Sequence, residues 1–580
     1  MANTQKQLGL LKVLRVFLVN ADGSRKVGIT RLIRQMTITE DIFKNTLYGS
    51  VRIKDSVDLL GGMPSKKGTD KAFPIVGEEF LQIKFITDYT DQMVDLRFAV
   101  YGIEDIVYHN NNTKKEYTLN FCSEEHLIDA TTVVMKKYSK QHSENIKDLC
   151  RDYLNLDDGS GGVATAVPAK KFIPPTSNTT PTAPGAPPVS TPEGAKEENP
   201  INVSTQASTG TLGFPTNGSA IAQDSPPYRN KKRLATVQPT KGPQDLYVPK
   251  LSPLQTAEMM ARRSIAEEKY ESASYLFFEN FEGFNFCDIE YLIARGMDKV
   301  KKTPEVFTYH YENPLIRDTK KKEDPLREYK TLQKVDHVHY FDTVEKIKMG
   351  MFESDITTYD FIKQSHKSTR FRFMTSEVVN NTLTTGGLNG KSYPENSISF
   401  MKTVISEDDK ANKYTRKFLI PKDLSDPNKD TYLDVIYTNR ASYFTRLAQN
   451  VFTVTTYGDP AVQAGDVIKL MVPEGDGLDP KGASKVNPRL SGYFLVGTIK
   501  HVFTQTTYHT IMDIYKNAFG DAVLSTDEAE EKPPVPTNNE NIKSGENDRD
   551  VNTMPADPTD PEGKEPVPDS AIEFLKNIIG

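Results

Sequence analysis

The sequence predicts a mainly β fold (α+β) containing a duplicated β-unit, and three observations carry that expectation. Apolar and polar residues alternate with period two in LYGSVRIKD (47–55) and EFLQIKFIT (79–87), the pattern of strands buried on one face. Strand-like segments dominate again from about residue 351 to 516. Finally, the hairpin-like stretch GYFLVGTIKHVFTQTTYHTIMDIYKNAF (492–519) has an echo in YGIEDIVYHNNNTKKEYTLNFCS (101–123). At 580 residues the chain can hold three or four domains with cores of their own.

Taken in order, residues 1–125 read as a first β-barrel and 126–158 as helical, with Leu127, Val134, Met135, Ile146, Leu149 and Leu154 spaced among polar positions. Residues 159–250 are rich in Pro, Thr, Ser, Gly and Asn, as in FIPPTSNTTPTAPGAPPVSTP, and are assigned to a linker insertion. Such a segment buries too little apolar surface to offset the entropy of ordering it. The basic run RNKKR (229–233) inside it is expected to be solvated. Residues 251–330 supply a helix and a hairpin. Leu254, Ala257, Ala261 and Ile265 share one helical face, and YLFFENFEGFNFCDIEYL is expected to turn at Glu282 and Gly283. Residues 331–520 read as a second barrel with inserted elements. A short helix opens at Asp342, with Glu345 three residues on and a stop at Gly350. Residues 521–568 form an acidic, Pro-rich tail. In 569–580, Ser570 and Glu573 make a capping box, and Ile572, Phe574, Leu575, Ile578 and Ile579 form a broad apolar face. A helix so short is marginal alone, so that face is expected to dock in a partner's groove.

The repeat aligns two stretches by pattern. Each runs from a Tyr (Tyr101, Tyr493) to a His (His109, His501) eight residues on, through a polar bend, to a second Tyr (Tyr117, Tyr508). A glycine-led strand precedes each, from Gly77 and from Gly465. Two equivalent barrels in one chain would give a trimer six near-identical units.

Charge and motifs narrow the function. The net charge is −6, and residues 521–580 carry 15 acidic and 5 basic side chains, which leaves about +4 on residues 1–520. A near-neutral body argues against a bulk grip on nucleic acid. Cys122, Cys150 and Cys287 are far apart in sequence and form no metal-ligand pattern, as suits a reducing compartment. With no apolar run of membrane-spanning length and no signal-peptide pattern, no membrane insertion is expected. TTGGLNGKSY has Gly390, Lys391 and Ser392 in place, but Thr385 stands where a phosphate-binding loop needs Gly. His337 and His339 have a two-residue spacing suited to metal but lack a third ligand in sequence. The carboxylates of 407–409 and 473–480 lack the spacing of a calcium loop. No catalytic residues, metal site or cofactor are assigned.

His501 and His509 could pair as a metal or acid/base site if the hairpin centred on Gln505. The apolar parity of Tyr493, Leu495, Ile499 and Phe503 against Tyr508, Met512 and Ile514 favours another register. It sets His501 opposite Tyr508 and sends His509 to the other face.

Four stretches in order carry a resemblance: the N-terminal repeat, YLFFENFEGFNF after a helix, FDTVEKIKMGMFESDITTYDF, and AGDVIKLMVP with RLSGYFLVGTIKHVFTQTTYHTIMDIYKNAF. Through them the chain resembles the central baseplate hub proteins of T4-like contractile-tailed bacteriophages, over about 1–158 and 250–520. The resemblance implies two tail-tube-like β-barrel domains, a mixed α/β middle region and a flexible acidic C-terminal tail. It further implies a non-enzymatic homotrimer whose pseudo-sixfold ring joins the tail tube to the central spike protein. Partners would be tube or tube-initiator protein, spike and baseplate wedge proteins, with DNA only as passing cargo. The place would be the virion baseplate, after assembly in host cytoplasm. The alternatives are a hub-associated cell-wall hydrolase, or a spike or hub component of a related contractile injection or secretion system.

Overall fold

A computed structural model describes residues 9–57, 59–60, 75–87, 93–109, 114–157, 232–267, 272–311, 328–339, 342–351, 353–361, 364–372, 382–383, 388–389, 416–421, 432–448, 450–478, 484–487 and 490–516. The chain is mainly β, dominated by one large sheet whose strands pair almost entirely antiparallel.

Seven strands come first: β1 (Leu11–Val19), β2 (Lys26–Gly28), β3 (Ile33–Asp41), β4 (Tyr48–Asp55), β5 (Phe80–Thr87), β6 (Met93–His109) and β7 (Lys114–Cys122). The period-two alternation read from sequence sets their faces. Met36 and Ile38, Val51 and Ile53, and Leu81, Ile83 and Phe85 all point into one core and are fully buried. Gly49 permits this packing, because a Cβ there would lie 2.1 Å from the Thr37 carbonyl oxygen and 2.6 Å from Phe121.

The middle region holds α1 (Glu124–Thr131), β8 (Lys137–Tyr138), α2 (His142–Tyr153), β9 (Leu234–Val237), β10 (Leu246–Tyr247), α3 (Pro253–Arg262), β11 (Tyr275–Asn280), β12 (Gly283–Asp288), α4 (Ile289–Lys302) and α5 (Pro304–Phe307). Residues 232–250 are therefore not linker. Leu234, Leu246 and Val248 are buried with α2 and α3, which removes the entropy argument for that part. Leu127 lies on α1 with its side chain exposed, whereas Met135 departs from the helical expectation: the helix ends at Thr132, a two-residue strand follows, and Met135 is 82% exposed. The face Leu254, Ala257, Ala261 and Ile265 is buried as expected, and Ser252 opens α3 with a reciprocal capping box.

The β11–β12 hairpin turns at Phe281 and Glu282, one residue earlier than expected, with Asn280 paired to Gly283. Its unbroken apolar run has a physical cause, since both faces are buried. Tyr275, Phe277, Phe284 and Phe286 pack on the helical side, while Leu276, Phe278 and Cys287 pack into the core of the second β-unit.

The second half contains β13 (Thr308–His310), β14 (Lys334–His339), α6 (Thr343–Lys348), β15 (Glu353–Asp360), β16 (Ser365–Arg372), β17 (Thr382–Leu383), β18 (Leu388–Asn389), β19 (Arg416–Pro421), α7 (Leu433–Leu447), β20 (Asn450–Tyr457), β21 (Val467–Met471), β22 (Pro473–Leu478), β23 (Ser484–Val486), β24 (Gly492–Phe503) and β25 (Tyr508–Lys516). As expected from its sequence, α6 is capped by the Asp342 carboxylate, which accepts from Glu345 N at 2.9 Å, and is followed by left-handed Gly350. The helix α7 interrupts a region expected to be strand. Its residues Ala441–Leu447 are buried all round, so it lacks the one-sided stripe that marks a surface helix.

The strand order repeats. In the first unit it runs β3-β4-β7-β6-β5, and in the second β14-β20-β25-β24-β21, which is the same order by position in each unit. The details repeat as well. A bulge shifts the register between Val100 and Gly102 in β6, and between Val496 and Thr498 in β24. Glu79 accepts from Val76 N and Asp466 from Gln463 N, each three residues back. Val100 N then donates to Glu79 O, and Val496 N to Asp466 O. The two units are not separate sheets. Thr498–Phe503 of β24 pairs antiparallel with Met36–Asp41 of β3, giving a continuous 13-stranded sheet whose path runs from β14 to β2.

Candidate functional site

The place where the two β-units join is the most chemically loaded point among the described residues. On β3, Met36 and Ile38 point inward, and the same parity carries Glu40 into the interior with no exposed surface. Opposite it, β24 places His501, also with no exposed surface. His501 Nε2 lies 2.9 Å from Glu40 Oε1, and His501 Nδ1 lies 2.7 Å from the Tyr508 hydroxyl on β25. The other Glu40 oxygen accepts from Ala464 N at 3.2 Å. The Phe281 ring, at the tip of the β11–β12 hairpin, stacks on the imidazole at 4.7 Å. Three parts of the chain thus meet on one histidine. Burial pushes the Glu40 carboxyl above its usual range, and the bond from His501 opposes that rise. Burial likewise holds the Tyr508 phenol well above its ordinary value.

Tyr508 is fixed by its neighbours. Phe503 stacks on it at 4.4 Å, Phe85 meets it edge-on at 5.6 Å, and Gly458 lies so close that a Cβ would fall 2.0 Å from the ring. An acid, an imidazole and a phenol in series could relay a proton, but all three are closed to solvent. The chemistry available to this array is mutual satisfaction of buried polar groups across a joint.

On the opposite face of the same joint, Asp41, Thr498 and Asp513 stand side by side on β3, β24 and β25. Burial raises Asp41 to about 6, with Asp513 contributing and Phe43 N–H and Lys44 opposing. Asp513 is also raised by burial, while accepting from Thr453 Oγ1 at 2.6 Å. This face continues through Thr37 and Ser50, whose hydroxyls are 3.0 Å apart, to Asn120, and it carries Lys500, Arg52, Lys54 and Glu116. Both signs of charge are interspersed among hydroxyls.

A buried ion pair and a partly buried one hold the flanks. Lys330 pairs with Asp459, whose Oδ2 also accepts from the Tyr309 hydroxyl at 2.9 Å. Lys232 contacts Glu125 at 2.9 Å and Glu279 at 2.5 Å, and Glu279 accepts from Leu47 N and Ser123 Oγ. The expectation that RNKKR is solvated fails for Lys232 but not for Arg233, which is exposed. Lys232 is enclosed by these carboxylates, and Arg233 Nε donates to the Glu282 carbonyl at 2.9 Å.

The hairpin residues singled out from sequence scatter. His501 and Tyr508 enter the buried array. Tyr117 is buried in the core of the first β-unit, its hydroxyl donating to Asp55 at 3.3 Å, whereas Tyr101 is 56% exposed and His109 is half-exposed, 3.9 Å from Glu116. Tyr493 is partly buried. Strand pairing corrects the sequence alignment of the repeat. The shared bulge equates Tyr101 with Gly497, four residues from Tyr493, so the His and Tyr matches do not mark equivalent positions. The hairpin register is also corrected. Phe503 pairs with Tyr508 and His501 with Thr510, two residues from the favoured register. The four-residue loop Thr504–Thr507, closed by Thr504 N to Thr507 O at 2.9 Å, takes up the difference. An even shift keeps parity, so His501 and His509 do lie on opposite faces, and the two-histidine site does not form.

His337 stacks on Phe452 at 4.2 Å and its Nε2 lies 2.8 Å from Asn450 Oδ1; a bulge separates it from His339. Among the described residues no group of three or more His, Cys, Asp or Glu is placed to share a metal ion. No described helix is long and apolar enough to cross a membrane. The Gly390–Ser392 loop, the carboxylates of 407–409 and the C-terminal set Ile572, Phe574, Leu575, Ile578 and Ile579 lie outside the described residues. Glu40 and Asp41 were missed in sequence. The available signal was a carboxylate at an inward position of the alternating run MTITED.

No protein family matches the chain by sequence, and no curated protein does. Solved structures similar to it include the tail protein from Neisseria meningitidis MC58, at 9% identity and a TM-score of 0.39, covering 87% of this chain and 96% of that one. The 43 kDa tail protein of prophage MuSo2 from Shewanella oneidensis is similar at 7% identity and a TM-score of 0.42, covering 87% and 99%. A component of the Escherichia coli type VI secretion system is similar at 6% identity and a TM-score of 0.33, covering 84% and 75%.

Proposed function

We propose that this chain is a structural baseplate hub of a contractile phage tail. In this reading it forms a homotrimer in which two β-units per chain make a six-unit ring. The ring joins the tail tube to the central spike, contacts wedge proteins, and lets DNA pass as cargo in the virion. The observation that carries the reading is the repeated strand order, with its repeated bulge and carboxylate-capped turn, inside one uninterrupted sheet. A tube wall made of equivalent units needs such a repeat, because heterologous contacts close into a ring only when successive units present matching surfaces. The order of the four sequence stretches that resemble phage hub proteins points the same way.

The sheet face opposite the cores is assigned to the lumen. There Lys500, Arg52 and Lys54 alternate with Asp41, Asp513 and Glu116 among threonines and serines. A mixed, hydroxyl-rich wall would not retain phosphates as a basic one would. The reading is non-enzymatic, and the sealed Glu40–His501–Tyr508 array supports a holding role. Sedimentation and electron microscopy of the purified protein test it, with three chain masses and a ring of six lobes expected. A strict monomer, or a peptidoglycan-clearing activity lost on substituting an acidic pair, would count decisively against it.

A further inference from the structure

The two β-units differ in what covers one strand edge. In the second unit, β24 is paired by β21 over Gly492–Leu495, and beyond its bulge the same edge is paired by β3, from Thr498 to Phe503. In the first unit, β5 covers β6 only as far as Ala99. Beyond the matching bulge, residues 102–104 and 107–109 pair with β7 on one side, across a second bulge at Asp105 and Ile106 that β24 lacks, and with no strand on the other, among the described residues. This free stretch is also apolar, with Ile106, Val107 and Tyr108 exposed at 43%, 46% and 56%. An uncovered edge with apolar side chains is a template for another strand.

The complementary edge exists in the same chain. The first strand of the first unit, β3, has β4 on one side and β24 on the other. Its counterpart β14 has β20 on one side and no strand on its outer edge, among the described residues. Val338 on that strand is 43% exposed. Each free edge is therefore half of a joint that the chain already makes once within itself.

We propose that the edge of β6 beyond Gly102 takes the outer edge of β14 from a second copy of this chain, antiparallel, repeating between chains the β24–β3 joint. The register follows from shared partners. Leu119 and Met512 are equivalent, and so are Val51 and Val454, which pair with them. Hence Val335 corresponds to Met36 and Asp336 to Thr37, while Val107 corresponds to Val502 and Tyr108 to Phe503. Since Val502 pairs with Thr37 and Phe503 with Met36, Val107 should face Asp336 and Tyr108 should face Val335. Near the bulge, the acidic Glu104 and Asp105 approach the strand carrying His337 and His339. The contact is head-to-tail, since the two edges differ, and a contact of that kind closes into a ring when its rotation permits. The inference rests on the ring reading above and supplies the surface that reading requires.

Paired cysteines test it. The three native cysteines are buried, which leaves introduced thiols as the reactive ones. Val107→Cys and Asp336→Cys in one chain should shift the monomer band to linked multimers on a non-reducing gel after mild oxidation. Mixing the two single variants should give linked dimers, whereas either single variant alone should give none. Val502→Cys with Thr37→Cys is the positive control and should close within one chain, because those two positions already pair across the β24–β3 joint. If the protein sediments as an oligomer and the control links but 107 and 336 do not, the joint is wrong and the ring reading survives. Links of 107 to 107 or of 336 to 336 would also overturn the joint, in favour of a twofold contact. A chain that stays monomeric overturns both.

Discussion

Replacing His501 by Leu should destabilise the protein far more than its single side chain suggests. The imidazole is fully buried, 2.9 Å from Glu40 and 2.7 Å from the Tyr508 hydroxyl, and it is stacked by Phe281. Without it, Glu40 keeps only Ala464 N as a donor in a site closed to water. Breaking a buried, hydrogen-bonded pair by removing one partner costs about 3–5 kcal/mol. That is a large share of a stability that is typically about 5–15 kcal/mol. Removing both partners is a different perturbation, because no buried carboxylate remains. Glu40→Leu with His501→Leu should cost no more than His501→Leu alone, a coupling of at least about 2 kcal/mol. Urea unfolding followed by tyrosine fluorescence measures this, since the chain has no Trp to obscure the signal. If His501→Leu costs less than about 1 kcal/mol, or the two single changes simply add, water reaches the joint and its description as a sealed polar link is wrong.

Asp41 predicts a pH dependence. Its folded-state pKa is raised from 3.8 to about 6, so the folded chain holds that proton more tightly and stability falls as pH rises between these values. Asp41→Asn should flatten that limb and stabilise the protein at pH 7. The gain has an upper bound of about 3 kcal/mol, cut to about 1–2 kcal/mol by the partial exposure of the site; urea midpoints from pH 4 to 8 check it. Gly49→Ala drives a Cβ to 2.1 Å from the Thr37 carbonyl, in the middle of two ladders. Its expected cost is above about 3 kcal/mol, read as loss of soluble folded protein. Lys330→Met leaves Asp459 buried beside Tyr309, and should cost about 3–5 kcal/mol in the same urea assay. Asp288→Ala removes the cap that accepts from Tyr291 N at 2.6 Å, and should lower stability by about 1–2 kcal/mol.

Much of the fold was legible because its signals are local. Alternation in 47–55 and 79–87, the apolar face of α3, the Asp342 cap with Gly350, and the apolar β11–β12 run each encode structure within a dozen residues. Where two demands compete the reading slipped. The second half of α7, Ala441–Leu447, is buried all round and has no stripe to betray it, and residues 232–250 look like linker until α2 and α3 cover Leu234 and Leu246. Pattern alone also matched Tyr101 with Tyr493, because two alternating strands align nearly as well at several even offsets. Only the paired bulges remove that degeneracy.

By itself the sequence determined strand parity, and with it the separation of His501 from His509 and the expectation of two β-units. These follow from period-two geometry and need no knowledge of partners in space. Tertiary structure alone decided that the units share one sheet, that Glu40 meets a histidine 461 residues away, and that one edge of each unit is left free among the described residues. Strand pairing is chosen by long-range contacts between edges, and an isolated strand carries no mark of which edge it will meet.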